Sequence, residues 1–431
     1  MPYPRQIEIV PLEKPPHISV RVPGSKSITN RALVLAALTV SKGGGVMLDG
    51  ALQSEDTDVM IDSLRRLGFH VAPSWDAAQI HVTTTHEKTI PADVADLFAA
   101  NSGTSMRFLT ALVALGHGRY RLDGVPRMRE RPIEDLLDAL KQLGVSSVSE
   151  NRDGCPPVVI EAHGLPGGSV RIKGATSSQF VSGLLMAAPF ARNDLVIEID
   201  GPLVSVPYVT MTVAMMRQFG LAIEQERSER FRVPAPQRPT PLMRYLIEPD
   251  ASAASYFFGA AAITGGSIGV HGLPAQGLQG DVRFVDVLEQ MGCRIEREAD
   301  TITVHGSALV GIDVDLNDIS DTVMTLAAVA CFANGPTTIR NVAHIRHKET
   351  DRLAALATEL RRIGAGVDER SDGLTITPRA LHGAVVETYN DHRMAMSLAL
   401  IGLKIPGIVI DQPGCVAKTY PRFFHDLEQL R

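Results

Sequence analysis

The chain is predicted to be an α/β protein of two similar domains, each built from three repeated units with outer sheets and buried helices. Three observations predict this: a sixfold internal repeat, six helical stretches that are apolar nearly all round, and a Pro-rich break near the middle. In the repeat, short β-like runs each end at a Gly or polar residue, followed by a loop and an amphipathic helix. The runs are VMLDG, YRLDG, IEIDG, IGVHG, TIRN and IVIDQ. Their last residues, Gly50, Gly124, Gly201, Gly272, Asn341 and Gln412, recur at steps of 69 to 77 residues. That period exceeds a solenoid repeat and suits a small α/β unit.

A second helix precedes each run. These are SKSITNRALVLAAL, NSGTSMRFLTALVAL, TSSQFVSGLLMAAP, DASAASYFFGAAAI, DISDTVMTLAAVACF and NDHRMAMSLALIGL. Apolar residues cover most of their circumference, which marks buried helices. The later helix of each unit, as in IDSLRRLGF, is amphipathic and should face solvent. Strands such as IHVTT and TITVHG follow it. Val233–Pro241 contains four prolines and separates the halves. The strand-like N-terminus (IEIV, HISVRV) is expected to join the later half. The expected domains are therefore residues 1–22 plus 244–431, and residues 23–243.

Bulk composition limits the function classes. The 431 residues are 45% hydrophobic and 21% charged, with a formal net charge of −6. This is an ordinary globular composition, and the net charge argues against a general nucleic-acid binder. Four dispersed cysteines, Cys155, Cys293, Cys331 and Cys415, form no CxxC pair, as expected for a reducing compartment. The N-terminus has neither an apolar secretory core nor a transit pattern, so the cytoplasm is expected. Ala251–Val270 carries no charge but is interrupted by Thr264-Gly265-Gly266. It reads as helix, turn and strand rather than a membrane span.

The helix starts carry the chemistry. Ser27 and Thr29, Asn101 and Ser102, Thr176 to Ser178, Asp250 and Ser252, Asp318 and Asp321, and Asn390 and Asp391 are cap-type residues. Capping alone accounts for Asp250 and Ser252. It does not account for Lys26, Arg31, Arg107, His392 and Arg393 near other starts, because cations there oppose the helix dipole. A bound anion would resolve that conflict. Further cations lie in the loops: Arg127, Arg129 and Arg131, then His347, Lys348 and Arg352, then Lys418. PGSKS fails as a phosphate loop, since Ser25 precedes Lys26. No dinucleotide or metal signature is present.

PGSKSITNRA, NSGTSMR, PRMRERPI, SSQF, HKETDRL, NDHRMAM and AKTYP resemble, in order, the signatures of the 5-enolpyruvylshikimate-3-phosphate synthase family. The resemblance covers about Val22 to Pro421. It implies the enolpyruvyl transferase fold, with two domains of three βαβαββ units closing over the substrates. It also implies transfer of the enolpyruvyl group of phosphoenolpyruvate to the 5-hydroxyl of shikimate-3-phosphate, with release of phosphate. This is a step toward chorismate and the aromatic amino acids.

The resemblance implies roles too. Asp321 and Glu349 are acid/base carboxylates, with Lys26 and His392 beside the reacting groups. Lys26, Ser27, Arg31, Ser177, Ser178, Gln179, Ser205, Tyr208, Asp321 and Lys348 bind shikimate-3-phosphate. Lys26, Asn101, Gly103, Arg131, Gln179, Arg352, Arg393 and Lys418 bind phosphoenolpyruvate. No cofactor or metal is expected. The only partners expected are these small molecules, with no nucleic acid, no membrane and a monomeric enzyme.

Three departures stand out. His344 replaces an Asn four residues before Lys348. Phe108 replaces a Pro after Met-Arg. Ala100 and Ser102 replace Gly and Ala around Asn101. Phe108 and Ser102 are expected to weaken inhibition by glyphosate, the family's phosphoenolpyruvate-site inhibitor. The alternatives are a UDP-N-acetylglucosamine enolpyruvyl transferase and a noncatalytic anion-binding protein of the same fold. The second-unit loop GVPRMRERP lacks the reactive Cys typical of the former. The latter does not explain carboxylates among the cations.

Overall fold

The computed structural model describes residues 3–226, 229–240 and 242–431. Pro241 of the Pro-rich break and residues 1–2 of the first expected domain lie outside them. Among the described residues there are six small sheets, five of which repeat one plan: a parallel pair followed by an antiparallel hairpin. In the second sheet, Val94–Phe98 runs parallel to His117–Asp123, which pairs antiparallel with Val158–His163 and through it with Ser146–Ser149. The strand in the second place of each sheet is one of the six recurrent runs.

The residue ending each run explains part of the repeat. Gly50, Gly201, Gly272, Asn341 and Gln412 all have φ between 50° and 77°. This left-handed region is cheap for Gly and tolerable for Asn. Gly124 is the exception. There a Cβ would lie 2.4 Å from the carbonyl oxygen of Ala100, so close backbone approach is what requires glycine.

The chain divides into two compact units, residues Gly24–Ile247 and residues Met1–Pro23 with Glu248–Arg431. The later boundary falls four residues beyond the expected one. The reason is register: Arg244–Leu246 pairs in parallel with Gly45–Asp49 and completes the first sheet of its own unit. In the other unit, His17–Val20 joins Ser267–His271, and Gln6–Ile9 joins Ile408–Asp411. The sixth sheet consequently has three strands, the N-terminal strand standing where a hairpin would be.

The six apolar stretches form the helices Lys26–Thr39, Gly103–Val113, Ser178–Ala187, Ala251–Thr264, Val323–Ala330 and His392–Gly402. In the second unit the last three of these pack on one another, around a hydroxyl contact from Ser255 through Thr325 to Ser397. The stretch Ala251–Val270 is a helix ended by Gly265 at φ 76°, then the strand Ser267–His271. Among the described residues, no helix is long and apolar enough to cross a membrane.

One local expectation needs correction. The fifth buried helix begins only at Val323, so Asp318 and Asp321 lie in the preceding 3-10 segment Asn317–Thr322. Ile319, with φ −126° and ψ 41°, breaks the helical run there. In HKETDRL the helix begins at Arg352, with Asp351 as its cap, so Glu349 precedes it.

Candidate active site

In the unit Gly24–Ile247, three buried helices present their N-termini with side-chain caps from Ser25, Ser102 and Ser177. Ser25, rather than Ser27 or Thr29, caps the first, accepting from Ile28 N. Lys26 Nζ lies 3.3 Å from Asp56 Oδ2, a buried pair that sequence reading missed. An acid in the first turn of the helix Glu55–Arg66 is fully explained by the helix dipole, so nothing local singled out Asp56.

The second helix begins at Gly103, where space is tight. A Cβ there would lie 2.6 Å from Arg131 Nη2 and 3.1 Å from both Arg107 Nη1 and Gln179 Oε1. Two guanidinium groups and an amide therefore converge on this backbone, and glycine is what lets them. Arg131 Nη1 also donates to the carbonyl and the side-chain oxygen of Asn101, at 3.0 and 3.2 Å. Ser177 Oγ accepts from Gln179 N, and Ser178 opens the third helix.

Arg31 is 1% exposed. Its Nε donates to Thr212 Oγ1 at 2.7 Å, and its Nη atoms donate to Ser182 Oγ and the carbonyls of Ser27 and Tyr208. The Phe108 ring centre lies 5.0 Å from its guanidinium carbon, and that of Tyr208 lies 6.0 Å away. Burial lowers the Arg31 pKa to about 10, so it stays charged at neutral pH. Phe108 thus packs against Arg31, five positions along the helix from Gly103. Ser205, at φ 52°, starts the helix that carries Tyr208.

The second unit holds a denser array. Arg352 is 1% exposed and bonds three carboxylates. Its Nε donates to Asp391 Oδ2 at 2.8 Å, its Nη2 to Glu349 Oε2 at 2.9 Å, and its Nη1 to Asp321 Oδ1 at 3.2 Å. Arg393 Nη2 donates to the other oxygen of Asp321 at 2.7 Å, and its Nη1 reaches Tyr256 Oη at 3.3 Å. Lys418 Nζ lies 3.8 Å from Glu349 Oε1. Burial alone would lower the Arg352 pKa; Asp391, then Glu349 and Asp321, outweigh it and hold the pKa above that of an ordinary arginine.

His392 is fully enclosed, its Nδ1 3.6 Å from Asp391 Oδ1. Burial, then Arg393, keeps its pKa well below the usual histidine value, so the ring is neutral. Burial and the nearby Lys348 likewise push His344 down to about 3. Asp250 caps its helix, accepting from Ala253 N. Ser252 is not a cap: it lies in the first turn and donates to the buried Asp281.

The structure brings Asp321, Glu349, Arg352, His392, Arg393 and Lys418 into one cluster, and Asn101, Gly103, Arg131 and Gln179 into another. Lys26 is paired with Asp56, and Arg31 is held in the helix core with Tyr208. Such arrays combine buried cations with carboxylates, the groups needed to bind anions and move protons.

Comparison with known proteins agrees. The profile of the family described as EPSP synthase (3-phosphoshikimate 1-carboxyvinyltransferase) matches residues 13–427. A relative from Nostoc punctiforme named 3-phosphoshikimate 1-carboxyvinyltransferase is 50% identical over 98% of this chain and 99% of its own. One of the same name from a Marinomonas species is 47% identical over 94% of this chain and 95% of its own. The solved EPSP synthase from Acinetobacter baumannii aligns with a TM-score of 0.82 at 25% identity, covering 99% of this chain and 98% of that one. The enolpyruvyl transferase NikO from Streptomyces tendae shares the fold, with a TM-score of 0.75 at 21% identity over 99% of this chain and 96% of that one. Motif order, sixfold architecture and similarity over nearly the whole length converge: the chain belongs to the EPSP synthase (3-phosphoshikimate 1-carboxyvinyltransferase) family.

Proposed function

We propose that this chain transfers the enolpyruvyl group of phosphoenolpyruvate to the 5-hydroxyl of shikimate-3-phosphate and releases inorganic phosphate. Family membership supports the reaction. The observation that carries it to this chain is the Arg352 cluster, in which the buried Glu349 and the part-buried Asp321 lie among three cations. A pocket that only bound anions would gain nothing from carboxylates there. A reaction that must donate one proton and accept another needs them.

In this reading C3 of phosphoenolpyruvate takes a proton as the sugar hydroxyl adds to C2. The hydroxyl loses its proton to a carboxylate. The tetrahedral adduct then loses phosphate as a proton leaves C3, restoring the double bond. Glu349 and Asp321 are assigned the proton transfers, and Lys26 and Lys418 the leaving phosphate. His392 is assigned a place beside the reacting groups as a neutral ring.

In the unit Gly24–Ile247, we assign Lys26, Asn101, Gly103, Arg131 and Gln179 to phosphoenolpyruvate. There Lys26, Ser27, Arg31, Ser177, Ser178, Gln179, Ser205 and Tyr208 are assigned to shikimate-3-phosphate. In the other unit, Arg352, Arg393 and Lys418 are assigned to phosphoenolpyruvate, and Asp321 and Lys348 to shikimate-3-phosphate. The enzyme is taken to act as a cytoplasmic monomer without a metal, because Arg and Lys supply the positive charge.

A phosphate-release assay tests the reading. Release should require both substrates and persist in a chelator. Release with UDP-N-acetylglucosamine in place of shikimate-3-phosphate would overturn the substrate assignment.

A further inference from the structure

Glu359 is a fully buried carboxylate outside the cluster described above. It lies on the helix Arg352–Arg362, seven residues after Arg352, and so on the same face, two turns along. Its Oε1 accepts from Tyr389 Oη at 2.8 Å and lies 3.3 Å from Arg362 Nη2. Its Oε2 accepts from the backbone N–H of Glu387 at 3.1 Å.

These bonds grip an unusual turn. Tyr389 and Asn390 are consecutive non-glycine residues in the left-handed region, with φ of 53° and 52°. Asn visits that region readily; a bulky aromatic residue does not. Such a conformation persists where its surroundings over-determine it. The turn leads directly into Asp391, which accepts from Arg393 N and caps the helix His392–Gly402. One helix therefore holds the segment at two points: Glu359 grips Glu387 and Tyr389, and Arg352 grips Asp391.

We infer that Glu359 is a positioning residue: it clamps the left-handed turn at Tyr389-Asn390 and so sets the direction in which Asp391, His392 and Arg393 enter the site. The effect on substrate rests on the function proposed above; the clamp itself does not. The role requires a carboxylate. Glutamine can keep the Glu387 N–H only by turning its NH2 toward Tyr389, which then has to accept rather than donate, and toward Arg362, whose charge it cannot balance.

Two variants test this. Glu359→Gln removes one acceptor, and Tyr389→Phe removes one bond while leaving the carboxylate and the fold. Hydrogen exchange of the amides from Thr388 to Arg393 should quicken in both, with exchange in the helix Ala251–Thr264 unchanged. The KM for phosphoenolpyruvate should rise about 3–10-fold in Tyr389→Phe and roughly 10–100-fold in Glu359→Gln. The KM for shikimate-3-phosphate should change much less. Unchanged exchange from Thr388 to Arg393 in Glu359→Gln would refute the clamp, whether or not the unsubstituted enzyme is active. Faster exchange with an unchanged phosphoenolpyruvate KM, in an enzyme that is otherwise active, would show Glu359 to be merely structural. An unsubstituted enzyme inactive on both substrates would overturn the proposed function, and the exchange result would still decide the clamp.

Discussion

Arg31 and Arg352 are each about 1% exposed, yet opposite environments hold them. Hydroxyls, carbonyl oxygens and two aromatic rings surround Arg31, and among the described residues no carboxylate pairs with it. Arg352 bonds three carboxylates. The proton affinities follow: burial lowers that of Arg31, while ion pairing raises that of Arg352. A buried cation solvated only by dipoles favours an arriving anion. A buried cation already neutralised instead organises the acids around it. The two arginines therefore differ in the charge they still present: among the described residues no carboxylate offsets that of Arg31, while three share that of Arg352.

The largest expected effect comes from removing each guanidinium. Arg352→Met leaves the buried Asp391 and Glu349, and the part-buried Asp321, without their shared partner and should cost about 3–5 kcal/mol. Arg31→Met leaves only neutral groups and should cost about 1–3 kcal/mol. Denaturant unfolding followed by circular dichroism would compare them, and equal losses would erase the contrast.

Glu349→Gln should lower turnover by roughly 10²–10⁴-fold. It should also cost about 1–3 kcal/mol, because Glu349 is buried and bonded to Arg352. An exposed helical pair would cost only about 0.2–0.5 kcal/mol. Near-normal turnover with the stability loss intact would leave Glu349 a counter-ion and nothing more.

The smallest effect sharpens the acid-rich side. Burial, then Asp321 and to a lesser degree Asp250, pushes Asp281 up to about 6, against the pull of Ser252 and Arg393. A carboxyl with a raised folded pKa lends stability that is complete below its ordinary value of 3.8 and lost as pH rises through about 6. Asp281→Asn keeps an acceptor for Ser252 but cannot ionise. Its melting temperature should therefore gain on that of the unsubstituted protein between about pH 4 and 7 and then level off. A difference independent of pH would contradict a raised Asp281 pKa.

Much of the fold was legible because its signals are local. Apolar residues around a whole helix mark burial, and a left-handed residue after a strand calls for Gly or Asn, as at Gly272 and Asn341. The motifs located most of the candidate site for the same reason. What stayed hidden depends on contacts distant in sequence. Asp56 meets Lys26 across 30 residues, and Glu359 meets Tyr389 across 30. Each has a sufficient local explanation, one as a helix-start acid and one as a residue of an amphipathic helix. Glu349 lies just outside the helix, because Asp351 accepts from Ala354 N and starts it later. Phe108 was read only as a departure after Met-Arg; the packing that sets it against Arg31 involves the helix Lys26–Thr39.

The way the terminal strands complete the sheets bears on birth order at the ribosome. The unit Gly24–Ile247 is one uninterrupted stretch of chain, and its last strand, Arg244–Leu246, seals its first sheet. It is complete as soon as it emerges. Gln6–Ile9 and His17–Val20 are made earlier, but their partners, Ile408–Asp411 and Ser267–His271, are made long afterwards. At about 5–20 residues per second, the first-made strands wait on the order of 10–50 s for Ser267–His271, and longer for Ile408–Asp411. During that interval they are unpaired edges in a crowded cell. Short length is their protection: each has only four residues, too few to template a stable foreign sheet.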